Sequence, residues 1–240
     1  MKRYFLFILT FVLAIHSGFA NEKLTKFFGD VDSFLKKYTQ EGRVDYEAIK
    51  KNLTNAQQLY EAIGTMDLSG TTEDERKAFY LNAYNMVVIY QVAKYYPLKS
   101  AMDQSGFFDK VKHRIAGEQL TLNALEIIKI MRQFGDARIH FALACAANGC
   151  PPLADFAYAP NQIDTQLQQR TRESLNNDNF IQVQSSSRKV NVSMIFKWYA
   201  KDFIKEKPNI ITYINQFRDN KIPENFELGY YEYDWGLNIQ

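Results

Sequence analysis

The sequence predicts a helix-rich α+β fold, a single domain in which helices pack around a small mixed or antiparallel sheet. Two observations support this prediction. Segments with helical spacing of apolar residues alternate with short apolar segments that are paired around turn signals, as in hairpins. Residues 73–95 also form a long segment that is apolar around most of its circumference, and such a helix normally lies in the core. No repeat, linker or low-complexity segment divides the 240 residues.

The first 20 residues have the pattern of a cleaved secretion signal. A basic head precedes an apolar run over 4–15, and the small residues Gly18 and Ala20 stand three and one positions before the expected cleavage site. The run is too short to span roughly 30 Å of hydrocarbon. We therefore expect residues 1–20 to be removed and residues 21–240 to act as one domain in the periplasm or outside the cell. Membrane contact is expected only through the cleaved signal.

Charge and composition exclude several classes of protein. The chain has 29 basic and 27 acidic residues, and removal of Lys2 and Arg3 leaves 27 of each, so the mature chain is formally neutral. Binding of nucleic acid requires a basic surplus or stripe, so no nucleic-acid partner is predicted. A hydrophobic content of 46% also excludes a disordered chain.

The N-terminal part predicts three helices. Residues 24–38 space their apolar side chains three and four positions apart, which indicates an amphipathic helix, and a second helix is expected over 46–63. After a glycine-bounded loop, Thr72 and Glu75 have the spacing of a capping box. This box predicts the start of the central helix 73–95, which ends before a proline.

The C-terminal part alternates predicted strands and helices. In order, the expected elements are a hairpin (110–115 and 118–120), a helix ending at 134, a buried strand (138–145), a glutamine-rich helix (161–176), a second hairpin (180–184 and 189–192), two helices (193–204 and 208–217) and a last strand (229–234).

Two amides lie on the apolar side of the central helix. At 100° per residue, Asn82 falls in the middle of the apolar arc and Asn85 about 60° away. A buried amide without a hydrogen bond costs about 1–3 kcal/mol, so both need partners. Either they tie down a neighbouring loop or strand, or they line a cleft and orient a catalytic imidazole or stabilise an oxyanion.

The segment 138–145 and the turn after it contain the residues best suited to chemistry. Side chains alternate along a strand, so His140 and Cys145, an odd five positions apart, are expected on opposite faces. Cys150 follows the Asn148-Gly149 turn, and the returning chain can present it on either face. We therefore expect His140 to meet Cys150 rather than Cys145.

The two sulfurs allow two main interpretations. A Cys145–Cys150 disulfide is favoured by the short turn between them and by the oxidising conditions outside the cytoplasm. Alternatively, Cys150 is a nucleophilic thiolate activated by His140, with Asn82 or Asp234 orienting the imidazole. A fourth metal ligand is unidentified and the C-x4-C spacing differs from C-x-x-C, so no metal or other cofactor is predicted.

Other candidate residues have both a structural and a functional interpretation. Arg138 either grips a ligand carboxylate or forms a surface ion pair. Asp234 and Trp235 belong to an aromatic-rich tail, 230–238, which is either an edge strand or the wall of a groove for a peptide or glycan. Glu126 falls on the polar side of its helix and is expected to have a capping role or to be solvated.

Three motifs resemble the DUF547 family, a domain of unknown function. They are Phe79-Tyr-Leu-Asn-Ala-Tyr-Asn85, Arg138-Ile-His-Phe-Ala-Leu-Ala-Cys145 with Gly149-Cys150-Pro151, and Tyr233-Asp-Trp-Gly-Leu-Asn238. The resemblance is to an exported, bacterial-type member of that family. It implies a single domain whose three motifs contribute to one site, and it implies no activity.

Two functions follow as hypotheses. The first is an exported envelope module that binds a peptide, a glycan or an envelope protein in a cleft lined by Cys, His and Asn; its candidate binding residues are Asn85, Arg138, Cys145, Asp234 and Trp235. The alternative is a thiol-dependent hydrolase or acyltransferase acting on a peptide or cell-envelope substrate. In that enzyme Cys150 would be the nucleophile, His140 the base and Asn82 the orienting group.

Overall fold

The computed structural model describes residues 22–205 and 207–240, so the predicted signal at 1–20 lies outside the described residues. The first half is mainly helical. Its elements are helix 22–38, strands Thr39–Gln40 and Arg43–Val44, helices Tyr46–Lys51, Thr54–Thr65 and Glu73–Tyr95, strands His113–Ile115 and Glu118–Leu120, and a helix over 122–134. The second half contains helix Ile163–Leu175, strands Ile181–Gln184 and Lys189–Val192, helices Ile195–Trp198, Ala200–Phe203 and Ile210–Phe217, and strand Glu227–Tyr230.

The sheets are small, as the sequence predicts. Two of them are two-stranded hairpins, and the third has three strands in the order Ile181–Gln184, Lys189–Val192, Glu227–Tyr230. The first pair is antiparallel, with Ile181 opposite Val192, and the second pair is parallel. The helix-rich α+β class and the mixed sheet are therefore confirmed.

The central helix Glu73–Tyr95 organises the first half of the fold. Thr72 and Glu75 form the predicted capping box, in which each side chain accepts a hydrogen bond from the other residue's backbone N–H. An unbroken run from Ala78 to Ile89 is buried, which agrees with the apolar character of the helix on all sides. This helix and helix 22–38 supply much of one hydrophobic cluster.

A second hydrophobic cluster lies in the C-terminal part. It combines the inner face of the three-stranded sheet with the helices over 195–217, and Phe141, Phe196 and Phe203 pack at its centre with ring centroids 4.7–6.0 Å apart. Phe141 belongs to the segment that leaves the first cluster, so the chain over 139–150 connects the two clusters.

Several predicted boundaries are wrong. Residues 138–145 are not a strand: a 3-10 helix, Ala137–Phe141, is followed by irregular chain. Asp136 caps the 3-10 helix by accepting the N–H of Arg138. The predicted helices 46–63 and 193–204 each divide into two, and the last strand is Glu227–Tyr230 rather than 229–234.

Candidate functional site

A cavity of about 420 Å³ opens where the two hydrophobic clusters meet. Tyr84, Phe107 and Leu143 face it from the first cluster, and Ile195 and Tyr233 from the second. The remaining lining residues are Met102, Gln104, Gly106, Phe108, Asp109, Asn123, Glu126, His140, Cys145, Cys150, Trp198, Tyr199 and Trp235. The wall is rich in aromatic side chains and contains few charged groups.

A disulfide between Cys145 and Cys150 forms part of the wall, as one of the two interpretations predicts. The hydroxyl of Tyr233 lies 3.0 Å from Cys145 Sγ and 3.1 Å from Cys150 Sγ. The N–H of Cys145 donates to Cys150 Sγ at 3.0 Å. Both sulfurs therefore lie in a polar, hydrogen-bonded environment at the cavity wall.

Asn85 fixes the chain that leads into the disulfide. Its Nδ2 donates to the carbonyl of Ala142 at 2.9 Å, and its Oδ1 accepts from the N–H of Ala144 at 2.9 Å. These backbone groups are buried and belong to no sheet, so the amide supplies the hydrogen bonds that a neighbouring strand would otherwise provide. Asn85 thus positions Cys145 through the backbone, and it is absent from the cavity wall.

The C-terminal tail holds the other side of the turn. Gly149 donates its N–H to the carbonyl of Asp234 at 2.9 Å, and Asn148 donates its own to Gly236 at 2.7 Å. A Cβ on Gly149 would lie 3.0 Å from the ring of Tyr233, so glycine allows the tail to approach this closely. Tyr233 and Trp235 of the tail therefore line the cavity, whereas Tyr230, where the tail begins, belongs to the edge strand of the three-stranded sheet.

His140 lines the cavity and forms a hydrogen bond with a carboxylate of a later helix. Its Nε2 lies 2.8 Å from Asp202 Oδ2, and its ring centroid lies 4.2 Å from that of Tyr199. The hydrogen bond from His140 lowers the pKa of Asp202, so this carboxyl stays ionised at neutral pH. Only 5% of His140 is exposed, and Asp202 fixes the orientation of its imidazole.

Glu126 is the main correction to the candidate residues. The sequence predicts a capping or solvated side chain, but Glu126 is half-buried and lines the cavity, where the hydroxyl of Tyr84 donates to its Oε2 at 3.4 Å. Residues Leu125–Met131 form a π-helical turn within helix 122–134. The wider turn changes which side chains share a face, so positions computed at 100° per residue do not apply there. Such turns are frequent at functional sites.

Both tryptophans of the chain lie at the cavity. Trp198 and Trp235 have ring centroids 5.9 Å apart, and each lies within 5 Å of the ring centroid of Tyr233. The helix Ile195–Trp198 supplies the first indole and the tail supplies the second. The sequence identified Trp235, but Trp198, Tyr84 and Tyr199 lay outside the candidate set because their side chains converge only through tertiary packing.

The structure brings together only part of the predicted site. His140, Cys145, Cys150 and Trp235 share the cavity, whereas Asn82, Arg138 and Asp234 are absent from its lining. Both ends of the Asn82 amide bond the backbone of Tyr158. Arg138 pairs with Asp136 and Asp164, each at 2.7 Å, and Asp234 accepts from the side chain of Asn148 and the N–H of Gly236.

Within 22–205 and 207–240, no group of three or more His, Cys, Asp or Glu side chains is arranged to hold a metal ion. In that part of the chain no helix has both the length and the apolar character needed to cross a bilayer.

Fold and site together define a helix-rich α+β protein with a disulfide-walled aromatic cavity. Residues 68–175 match the model of the DUF547 family, whose description is 'protein of unknown function'. This match supports the resemblance seen in the motifs. The match includes Tyr84, Glu126, His140 and both cysteines, whereas the two tryptophans lie beyond it. No curated protein and no solved structure is significantly similar to the chain.

Proposed function

We propose that this protein is an exported envelope module that binds a peptide, a glycan or an envelope protein in its aromatic cavity. The placement of the two tryptophans is the observation that carries the proposal. Trp198 is 46% exposed and Trp235 is 37% exposed, and both line the same cavity. Large apolar side chains that are exposed next to one another mark interaction surfaces. A ligand that covers them removes apolar area from water, which stabilises the complex by about 25 cal/mol per Å².

The cavity has the dimensions of a ligand site. Its volume of about 420 Å³ lies within the range of roughly 300–1,000 Å³ that is typical of small-molecule and side-chain pockets. Some of the polar groups at its wall are held in place, as His140 is by Asp202. A few oriented polar groups on an apolar wall determine the orientation of a bound ligand and the specificity of the site.

Tryptophan fluorescence tests the binding function directly, because both emitting side chains are at the site. The mature protein is titrated with two series, short peptides with free ends and N-acetylated oligosaccharides. We expect one series to change the emission in a saturable way. Binding should be weaker in Trp235→Ala. It should be unchanged in Tyr95→Ala, a matched exposed aromatic residue outside the cavity. Unchanged emission with both series, or equal binding by Trp235→Ala, would overturn the proposal.

Export is tested separately on the full chain expressed in bacteria. We expect the protein in the periplasmic or medium fraction with Asn21 as its first residue, because cleavage after Ala20 fits the signal pattern. Recovery with residues 1–20 intact would contradict the predicted location.

The alternative, a thiol-dependent hydrolase or acyltransferase, is supported by one observation: Cys150 and His140 line the same cavity. It requires a free thiolate, whereas Cys150 Sγ is bonded to Cys145. Thiol titration of the unfolded, unreduced protein separates the two functions. We expect no free thiol, and two after reduction; a thiol at Cys150 that is rapidly alkylated in the folded, unreduced protein would favour the enzyme.

A further inference from the structure

We propose that the cavity recognises an organic ammonium group, such as a peptide amino terminus or a lysine side chain, with Glu126 as its counter-ion. This inference rests on the proposed binding function and names the class of ligand. It favours peptides with a free amino group over neutral glycans.

The charges that line the cavity favour a cation. Glu126 and Asp109 contribute carboxylates, and no lysine or arginine is among the lining residues. The imidazole of His140 is already hydrogen-bonded to Asp202. An anionic ligand would therefore meet like charges, while an ammonium group gains Coulomb energy in a site that is only partly solvated.

Glu126 has capacity for a ligand. Among the described residues, no Lys, Arg or His nitrogen lies within 4.0 Å of its carboxylate, and Lys129, on the same helix, pairs instead with Glu118 at 2.5 Å. The hydroxyls of Tyr84, at 3.4 Å, and of Tyr199 are neutral donors to Glu126. A carboxylate has about four acceptor positions, so two tyrosine donors leave positions of Glu126 available to N–H donors from a ligand.

Aromatic rings complete the environment that an ammonium group prefers. Tyr84, Tyr199 and Trp198 line the cavity together with Glu126. Burial raises the pKa of Tyr84 and of Tyr199, so both rings stay neutral at physiological pH. The face of a neutral aromatic ring attracts cations by about 0.5–2 kcal/mol. Carboxylate and rings therefore favour the same ligand charge.

Three aromatic probes of similar size and different charge test the inference: benzylammonium, benzyl alcohol and benzoate, each titrated into the mature protein while tryptophan emission is followed. We expect benzylammonium to bind about tenfold or more tightly than the alcohol, with benzoate weakest, and we expect added salt to weaken the ammonium alone. Glu126→Gln should reduce binding of benzylammonium to that of benzyl alcohol and leave the alcohol unchanged. Glu61→Gln, an exposed carboxylate outside the cavity, is the control.

The outcomes separate this inference from the binding function. Equal binding of all three probes would overturn the ammonium preference and leave the cavity as a binding site. Unchanged ammonium binding by a folded Glu126→Gln would overturn the role of Glu126. If no probe binds, the inference fails, and the peptide and oligosaccharide titrations decide the binding function alone. The comparison of probes on the unmodified protein stands even if Glu126→Gln does not fold.

Discussion

The side-chain amide of Asn82 is hydrogen-bonded at both ends to the backbone of one residue, Tyr158. Its Nδ2 donates to the Tyr158 carbonyl at 2.8 Å, and its Oδ1 accepts from the Tyr158 N–H at 2.9 Å. Both residues are almost fully buried, and they are 76 positions apart in the chain. Asn82 therefore fixes a distant loop against the central helix, which is the structural interpretation of the buried amides.

We expect Asn82→Ala to lower the free energy of unfolding by about 2–4 kcal/mol, because it leaves two buried backbone groups without partners. Urea denaturation measures the loss as a lower midpoint with an unchanged slope. Asn55→Ala, at an exposed position, should change stability by less than about 0.5 kcal/mol. Wild-type stability in Asn82→Ala combined with lost ligand binding would instead assign Asn82 to the site.

Periodicity predicted most of the elements because local signals determined them. The capping box at Thr72 and Glu75 and the turn at Ala116-Gly117, where both residues have positive φ, act within a few residues. The segment 138–145 differs because its backbone partners are supplied by the side chain of Asn85, 57 residues earlier in the chain. A short apolar run has the same composition in a strand and in a buried irregular segment, so its pattern could not distinguish them.

The site was predictable only where its residues are close in sequence. His140, Cys145 and Cys150 lie within one motif, although the strand geometry used to pair them was wrong. A regular helical period predicts Glu126 on the polar side of its helix, but the π-helical turn over 125–131 changes that period. The rings that enclose the cavity come from distant helices and the tail, and a single sequence contains no signal for that packing.

Gly42→Ala should destabilise the fold through two separate effects. The residue has φ +79°, which costs an L-residue about 1–2 kcal/mol, and an added Cβ would lie 2.5 Å from Pro152 Cβ and 2.8 Å from its Cα. Gly70→Ala is a matched control, because Gly70 has φ +74° with nothing within 4 Å of the added carbon. The difference between the two variants in free energy of unfolding, measured by urea denaturation, gives the cost of the contact with Pro152. Equal losses of stability would show that Pro152 moves away without cost.

Removing the disulfide should cost about 2 kcal/mol, a modest loss because the closed loop spans a sequence separation of only five. The double variant Cys145→Ser/Cys150→Ser and the reduced wild-type protein should show the same lower urea midpoint. Tyr233→Phe removes only the hydroxyl facing the sulfurs, so its free energy of unfolding should fall by less than that of either of these two proteins. Equal midpoints for oxidised and reduced wild-type protein would contradict a stabilising disulfide.

The remaining histidine of the described chain predicts a pH dependence of stability. Burial, with a smaller contribution from the charge of Lys94, lowers the pKa of His113 from 6.5 to about 4, and the ring lies 3.1 Å from the Tyr60 hydroxyl. Between these two pKa values the unfolded chain binds a proton that the folded chain does not, so stability rises with pH. Lowering the pH from 7 to 4 should therefore remove up to about 3 kcal/mol through this residue.

Denaturation of wild type and His113→Gln across this pH range isolates the contribution, because the carboxylates that titrate near pH 4 are common to both proteins. The glutamine has no proton to gain and can keep a hydrogen bond to Tyr60. We expect the stability of the wild-type protein relative to His113→Gln to decrease as the pH falls from about 6.5 to 4, and to be constant above pH 7. A stability difference that is independent of pH would show that His113 titrates alike in both states.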